Sequence, residues 1–186
     1  MKIIETPLSG LLILEPQVFE DPRGYFFESY QQQRYIDAGI ESHFIQDNES
    51  KSGRGVVRGL HYQLDPFAQA KLVRVVQGAV YDVAVDLRKG SPTFGQWYGL
   101  ELNSNSKKQL YVPRGFAHGF SVLSEVAVFT YKCDNPYNRD AERAINAFDP
   151  KLAIDWQLNE SEWKVSVKDQ VAPLFDDADM NFIYQK

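Results

Sequence analysis

Strand-length apolar segments recur from end to end of this chain, and the breaks between them leave no room for a long helix. "DPRG", "KSGRG", "VVQG", "RKGSP", "NSNS", "VPRG" and "DNPYN" are turn signals that cut it into short pieces. Strands are predicted over Leu11–Phe19, Gly24–Ser29, Ser42–Glu49, Val56–Gln63, Lys71–Val76, Ala79–Leu87, Gln96–Leu102, Lys108–Val112, Gly119–Val122 and Ala127–Tyr131. "YQQQRYIDAG" reads as a short helix stopped by Gly39, and the last third mixes turns with one or two short helices. No repeat or linker divides the 186 residues, so residues 1–186 read as one all-β domain, an antiparallel sandwich or barrel. Jelly rolls are the members of that class with a pocket open at one end. The early strand Leu11–Phe19 could pair with a neighbouring subunit and hide a sheet edge.

Composition removes several functions. The formal net charge is −5 with no Lys/Arg block, which argues against a nucleic-acid partner. Cys133 is the only cysteine, so no intrachain disulfide can form, as suits a reducing cytoplasm. The N-terminal "MKIIETPLSGLLILEP" is broken by Glu5, Pro7 and Pro16. Its apolar run is too short for a membrane span, lacks a cleavage site, and reads as strand.

The polar residues inside the strands are the informative ones. In "GVVRGLHYQ", Arg58 and His61 stand three apart, on opposite faces of a regular strand. Either a bulge at Gly59 re-aims one of them or the strand is wet on both sides. A lone strand histidine is more often a satisfied core residue than a catalyst. Company changes that: Gln46 and Asn48 share a strand face, Lys71 and Tyr131 lie in other strands, and "VPRGFAHGF" supplies His118. Each orphaned polar group in a core costs about 1–3 kcal/mol, whereas a ligand pocket would be lined with them. Metal binding is disfavoured: "PRGFAH" ends in a usable His118, but Gln63 follows His61 at the pair position and Lys71 stands where a carboxylate would help. A histidine base, a lysine to hold charge on oxygen and a tyrosine acid suit proton abstraction beside a carbonyl and return of the proton on the other face. Asp169, in "VSVKDQ", is a candidate to orient the base, although spacing alone cannot bring it near His61.

Five segments carry a resemblance: "EDPRGYFFESY", "FIQDNESKSGRGVVRGLHYQ", "AKLVRVVQGAVYDVAVDLRKGSPTFGQW", "LYVPRGFAHGF" and "TYKCDNPYNRDAERAI". Together they resemble the dTDP-4-dehydrorhamnose 3,5-epimerase family over essentially the whole chain. The resemblance implies a cupin-type jelly roll with a few short helices, a homodimer with strand exchange, and no metal or other cofactor. It implies epimerisation at C3 and C5 of dTDP-4-dehydro-6-deoxy-D-glucose, in dTDP-L-rhamnose biosynthesis, with no nucleic-acid or membrane partner. His61 would be the proton acceptor oriented by Asp169, Tyr131 the proton donor, and Lys71 the group stabilising the enolate oxygen at C4. Arg23, Glu28, Gln46, Asn48, Arg58, His118, Glu142 and Lys168 match substrate-contacting positions, and Asp47 lies between two of them. Tyr137 would stack on the thymine, and Phe19 would add an aromatic contact from the partner subunit. Departures fall in the C-terminal segment, at Ala144, Ala147 and the Gln157 of "IDWQ".

Two other readings stay open at this point. A related enzyme could invert a single centre of another 4-keto-6-deoxy sugar nucleotide, and a non-catalytic cupin could merely bind one. Taken singly, Arg23 is explained as a turn residue, Arg58 as a surface ion pair worth about 0–1 kcal/mol, and Tyr131 and Tyr137 as packing.

Overall fold

The computed structural model describes residues 1–185. In chain order the strands are β1 (Lys2–Glu5), β2 (Leu12–Glu15), β3 (Phe19–Asp21), β4 (Gly24–Phe26), β5 (Gln46–Gly53), β6 (Val56–Gln63) and β7 (Lys71–Gln77). They continue as β8 (Ala79–Asp86), β9 (Trp97–Asn103), β10 (Gln109–Val112), β11 (Phe116–Val122), β12 (Val126–Cys133), β13 (Glu142–Ala144) and β14 (Lys164–Val165). Two short helices, α1 (Gln32–Ile36) and α2 (Val167–Gln170), complete the elements used below.

Two sheets face each other. One runs β1-β2-β10-β7-β12-β5 and the other β13-β6-β11-β8-β9, with β14 also on β6. Their inner faces close on Val73, Val75, Ala127 and Phe129 from the first sheet, and on Val80, Ala84, Phe116, Phe120 and Val122 from the second. This is the all-β, cupin-type jelly roll predicted from the sequence.

The second sheet is buried on its back as well. Val57, Leu60, Val83, Val85 and Ala117 pack there against Ile145, Trp156, Phe175 and Phe182 of the C-terminal segment. A strand covered on both faces loses the alternation of a half-buried one. That explains β11, buried at every residue, of which only Gly119–Val122 was legible as strand.

Other boundaries also move. The predicted Leu11–Phe19 strand is two pieces, because Pro16 ends β2 and the chain restarts at Phe19. β2 lies between β1 and β10 of the same chain, so both its edges are filled and β1 is the free one. The strand predicted from Ser42 begins at Gln46 and runs on to Gly53. The helix keeps only Gln32–Ile36, capped by the Gln31 side chain, with Gly39 at φ +83° beyond it. No helix among the described residues is long and apolar enough to cross a membrane.

The puzzle of Arg58 and His61 resolves at Gly59. β6 pairs with β11 as His61↔His118 and Arg58↔Phe120, so between these pairs Gly59 and Leu60 of β6 oppose Gly119 alone of β11. The extra residue restores the phase, and both side chains turn to the barrel interior. Gly59 sits at φ +117°, and a Cβ there would stand 2.6 Å from the Gly119 Cα and 2.7 Å from the His118 carbonyl oxygen. Only glycine fits on either side of that contact.

Candidate active site

The hollow between the sheets, about 150 Å³, is lined by Arg58, His61, Lys71, His118 and Tyr131, with Ser50 and Phe129. Each arrives by strand phase. On β5 the alternation turns Gln46, Asn48, Ser50 and Ser52 inward, the last bonded at 3.1 Å by the Arg58 Nε. β12 and β7 pair as Tyr131↔Val73 and Cys133↔Lys71, which sets Tyr131 and Lys71 on the inner face of the first sheet. Arg58, His61 and His118 come from the second sheet, so the hollow has a histidine wall and a tyrosine–lysine wall facing each other.

Asp169 reaches His61 by a route that sequence spacing could not reveal. β14 pairs in parallel with Val56 and Val57 of β6, next to the pairing of β13 with His61–Gln63. Ser166 then caps α2 by accepting the Asp169 N–H, and the helix presents the Asp169 carboxylate to the His61 Nε2 at 2.7 Å. The Asp169 side chain is 5% exposed and that of His61 34%: the acid is sheltered and the ring open. Burial pushes the Asp169 carboxyl up, but hydrogen bonds from His61, Ser166 and the Gly59 N–H outweigh it and hold the group below its ordinary value. With Nε2 committed to Asp169, Nδ1 is the ring nitrogen left for a substrate.

On the other wall the Lys71 Nζ lies 5.9 Å from the centroid of the Tyr131 ring. Burial lowers the Lys71 pKa, against the opposing influence of Cys133, Asp82 and Glu142. Burial raises that of Tyr131, with Cys133 and Glu142 adding to it and Arg58 opposing. The Cys133 thiol, pushed up by burial to about 11, is a neutral neighbour at neutral pH.

At the rim, the Tyr137 hydroxyl donates to Glu142 at 3.0 Å and the Lys168 ammonium to the same oxygen at 2.6 Å. The Tyr137 N–H donates to Gln46, which donates in turn to Asn48. Lys168 also borders an open groove with Arg58, His61 and Lys164. Tyr137 is 56% exposed, with its ring available for stacking.

Four predicted contacts lie elsewhere. Phe19 and Arg23 sit on the β3–β4 hairpin, Arg23 bonded to Asp21 and 90% exposed, and Glu28 follows the hairpin in an ion pair with Arg34. None of the three lines the His61 hollow. Asp47 faces the opposite side of β5 from Gln46 and Asn48 and is held by Lys132 at 2.8 Å. Conversely, Asp82 was not singled out in the sequence, yet it is fully buried on the inner face of β8 and bonded to His118 at 2.9 and 3.0 Å. The signal was an acid in phase with the core residues Val80 and Ala84.

Comparison with known proteins shows the family and the fold. A family model described as dTDP-4-dehydrorhamnose 3,5-epimerase matches residues 5–177. The dTDP-4-dehydrorhamnose 3,5-epimerase of Shigella flexneri is 51% identical over 97% of this chain and 94% of that one. The crystal structure of the Elizabethkingia anophelis enzyme of the same name superposes with a TM-score of 0.92 at 55% identity, covering 95% of this chain and 97% of that one. A Legionella pneumophila dTDP-6-deoxy-D-glucose-3,5-epimerase, solved with dTDP-4-keto-L-rhamnose, gives 0.95 at 49% identity over 100% of this chain and 99% of that one.

Proposed function

This chain belongs to the dTDP-4-dehydrorhamnose 3,5-epimerase family, and on that premise we propose how its own residues epimerise C3 and C5 of dTDP-4-dehydro-6-deoxy-D-glucose to give dTDP-4-dehydro-L-rhamnose. The observation that carries the reading is the pair of opposed walls: an Asp169-backed His61 on one sheet, Tyr131 and Lys71 on the other.

The sugar ring lies between the walls with its C4 ketone toward Lys71. The His61 Nδ1 takes the proton from C3, the C–H electrons form the C3–C4 double bond, and the carbonyl electrons move onto the C4 oxygen. The Lys71 ammonium stabilises that oxyanion. As the ketone re-forms, Tyr131 delivers its phenolic proton to the opposite face of C3, which inverts the centre. Solvent returns the proton from His61 to Tyr131, and the cycle repeats at C5, the other carbon beside C4. Asp169 fixes the ring orientation and stabilises the imidazolium formed in each cycle. Arg58 and Lys168 hold the diphosphate, Tyr137 stacks on thymine, and Gln46, Asn48, His118 and Glu142 supply polar contacts.

The test is NMR of dTDP-4-dehydro-6-deoxyglucose incubated with the protein in deuterated water. Deuterium is expected at both C3 and C5. Entry at one carbon would make the protein a single-centre epimerase, and entry at neither would make it a binder.

The active assembly is a homodimer in which the β3–β4 hairpin crosses to the neighbouring subunit. Phe19, Tyr25 and Phe26 on it are 56%, 57% and 71% exposed, a large apolar surface for a free hairpin. Crossing would carry the partner's Phe19 and the partner's Arg23 to a site that this chain's own copies do not reach. Sedimentation at assay concentration should give twice the chain mass. A monomer with full activity would refute the assembly.

A further inference from the structure

Asp82 is an anomaly of the interior. It is fully buried on β8, at a position where its inner-face neighbours on the strand are Val80 and Ala84. Burying a carboxylate costs several kcal/mol unless it is well paired, so an apolar residue would hold this place more cheaply. Its two oxygens both face the His118 Nε2, at 2.9 and 3.0 Å, and among the described residues no other hydrogen bond reaches them. The His118 ring is further pinned by stacking on Phe129, with centroids 6.0 Å apart and planes 25° apart. His118 lines the same hollow as His61, Lys71 and Tyr131.

We propose that Asp82 is a positioning residue of the active site, holding His118 as the Nε2–H tautomer with its Nδ1 left free for the sugar. The proposal rests on the epimerase reading and extends it to a residue that touches no substrate. Its chemistry follows from the hydrogen-bond geometry: both Asp82 oxygens face the His118 Nε2. The Nε2–H then donates to Asp82, and Nδ1 is left as an acceptor turned to the hollow, suited to a hydroxyl of the sugar. Two histidines thus present Nδ1 to one ligand, each backed by an aspartate at Nε2, and His61 and His118 are direct register partners across β6 and β11. On Asp82, burial outweighs the influence of His118 and Lys71 and holds the carboxyl above its ordinary value, so the His118 N–H is the partner that keeps it ionised.

The test compares Asp82→Asn and His118→Asn with the wild type. Asp82→Asn should lower kcat about tenfold, less than the roughly 10²–10³-fold loss expected when an oxyanion donor is itself removed. His118→Asn should lower kcat to a similar extent, and the double variant should lose no more than the worse single one, because Asp82 acts through His118. A merely structural Asp82 would change the melting temperature alone, so a folded Asp82→Asn protein with wild-type kcat overturns the proposal. Should that variant fail to fold, ¹⁵N NMR of the wild-type imidazoles decides: Nε2–H on His118 is expected, and Nδ1–H overturns it. A wild type that exchanges no deuterium would instead defeat the epimerase reading, and the tautomer can be read in either case.

Discussion

Replacing His61 by asparagine is expected to slow deuterium entry at C3 and C5 together, by about 10²–10⁴-fold, and to leave the fold intact. The size of the loss is that of a general base removed from a site that is otherwise complete. The two carbons should fall together because one imidazole serves both. Structural damage should be small because the His61 side chain is 34% exposed and belongs to neither apolar cluster. What the variant gives up in stability is a pH-dependent contribution from Asp169. That carboxyl is held below its ordinary value in the fold, by hydrogen bonds that outweigh burial. The unfolded chain therefore binds more protons over the interval between the two values. The contribution is fully present above the ordinary carboxylate pKa and is lost as pH falls through the depressed one. Urea midpoints of wild type and His61→Asn should differ at neutral pH and converge in acid. Exchange at near wild-type rate in the variant would show that another group is the base.

The residues that could be read from the sequence are those whose environment is set by their own strand. Lys71 and Tyr131 each sit in a strand whose alternation gives the face, and both line the hollow; His118, which lines it too, stood just ahead of the strand predicted from Gly119. The phase of Arg58 against His61 was legible only as a conflict. Its solution, a bulge at Gly59, depends on Gly119 standing opposite in β11. The contact of Asp169 with His61 lay beyond local reasoning, since the pairing that delivers it joins β14 to a strand about a hundred residues earlier. The chemistry of the base made Asp169 a candidate, but spacing could not place it. The double burial of the second sheet likewise comes from a C-terminal segment that looks like loop, so β11 lacked the alternation that marks a half-covered strand. Phe19, Arg23 and Glu28 mark a different limit: none lines the hollow of its own chain, and the proposed hairpin crossing is what would bring such residues to a site.

Lys71→Met should lose about 10²–10³ in kcat, the cost of removing a single oxyanion-stabilising donor, with little change in binding of the dTDP portion. The loss should be equal at C3 and C5. Both carbanions delocalise onto the same C4 oxygen, so a defect confined to one carbon would place the ammonium elsewhere. In the wild type, burial moves Lys71 down and Tyr131 up, and the alkaline decline in rate is therefore expected to follow Lys71. Tyr131→Phe should lower the rate without moving that limb, whereas Lys71→Arg should push it to higher pH, because a guanidinium stays protonated. A limb that vanishes in Tyr131→Phe would reverse the assignment. Stability should move opposite to activity. The unfolded chain holds the Lys71 proton more tightly than the folded one, so the charged side chain opposes folding at neutral pH, and that cost shrinks as pH rises past the depressed value and is gone above the ordinary lysine pKa. A methionine of similar length removes the cost, and Lys71→Met is expected to melt above the wild type at pH 7 while catalysing far less. A variant that lost both stability and rate would mean that the ammonium is part of the scaffold, and the enolate would need another partner.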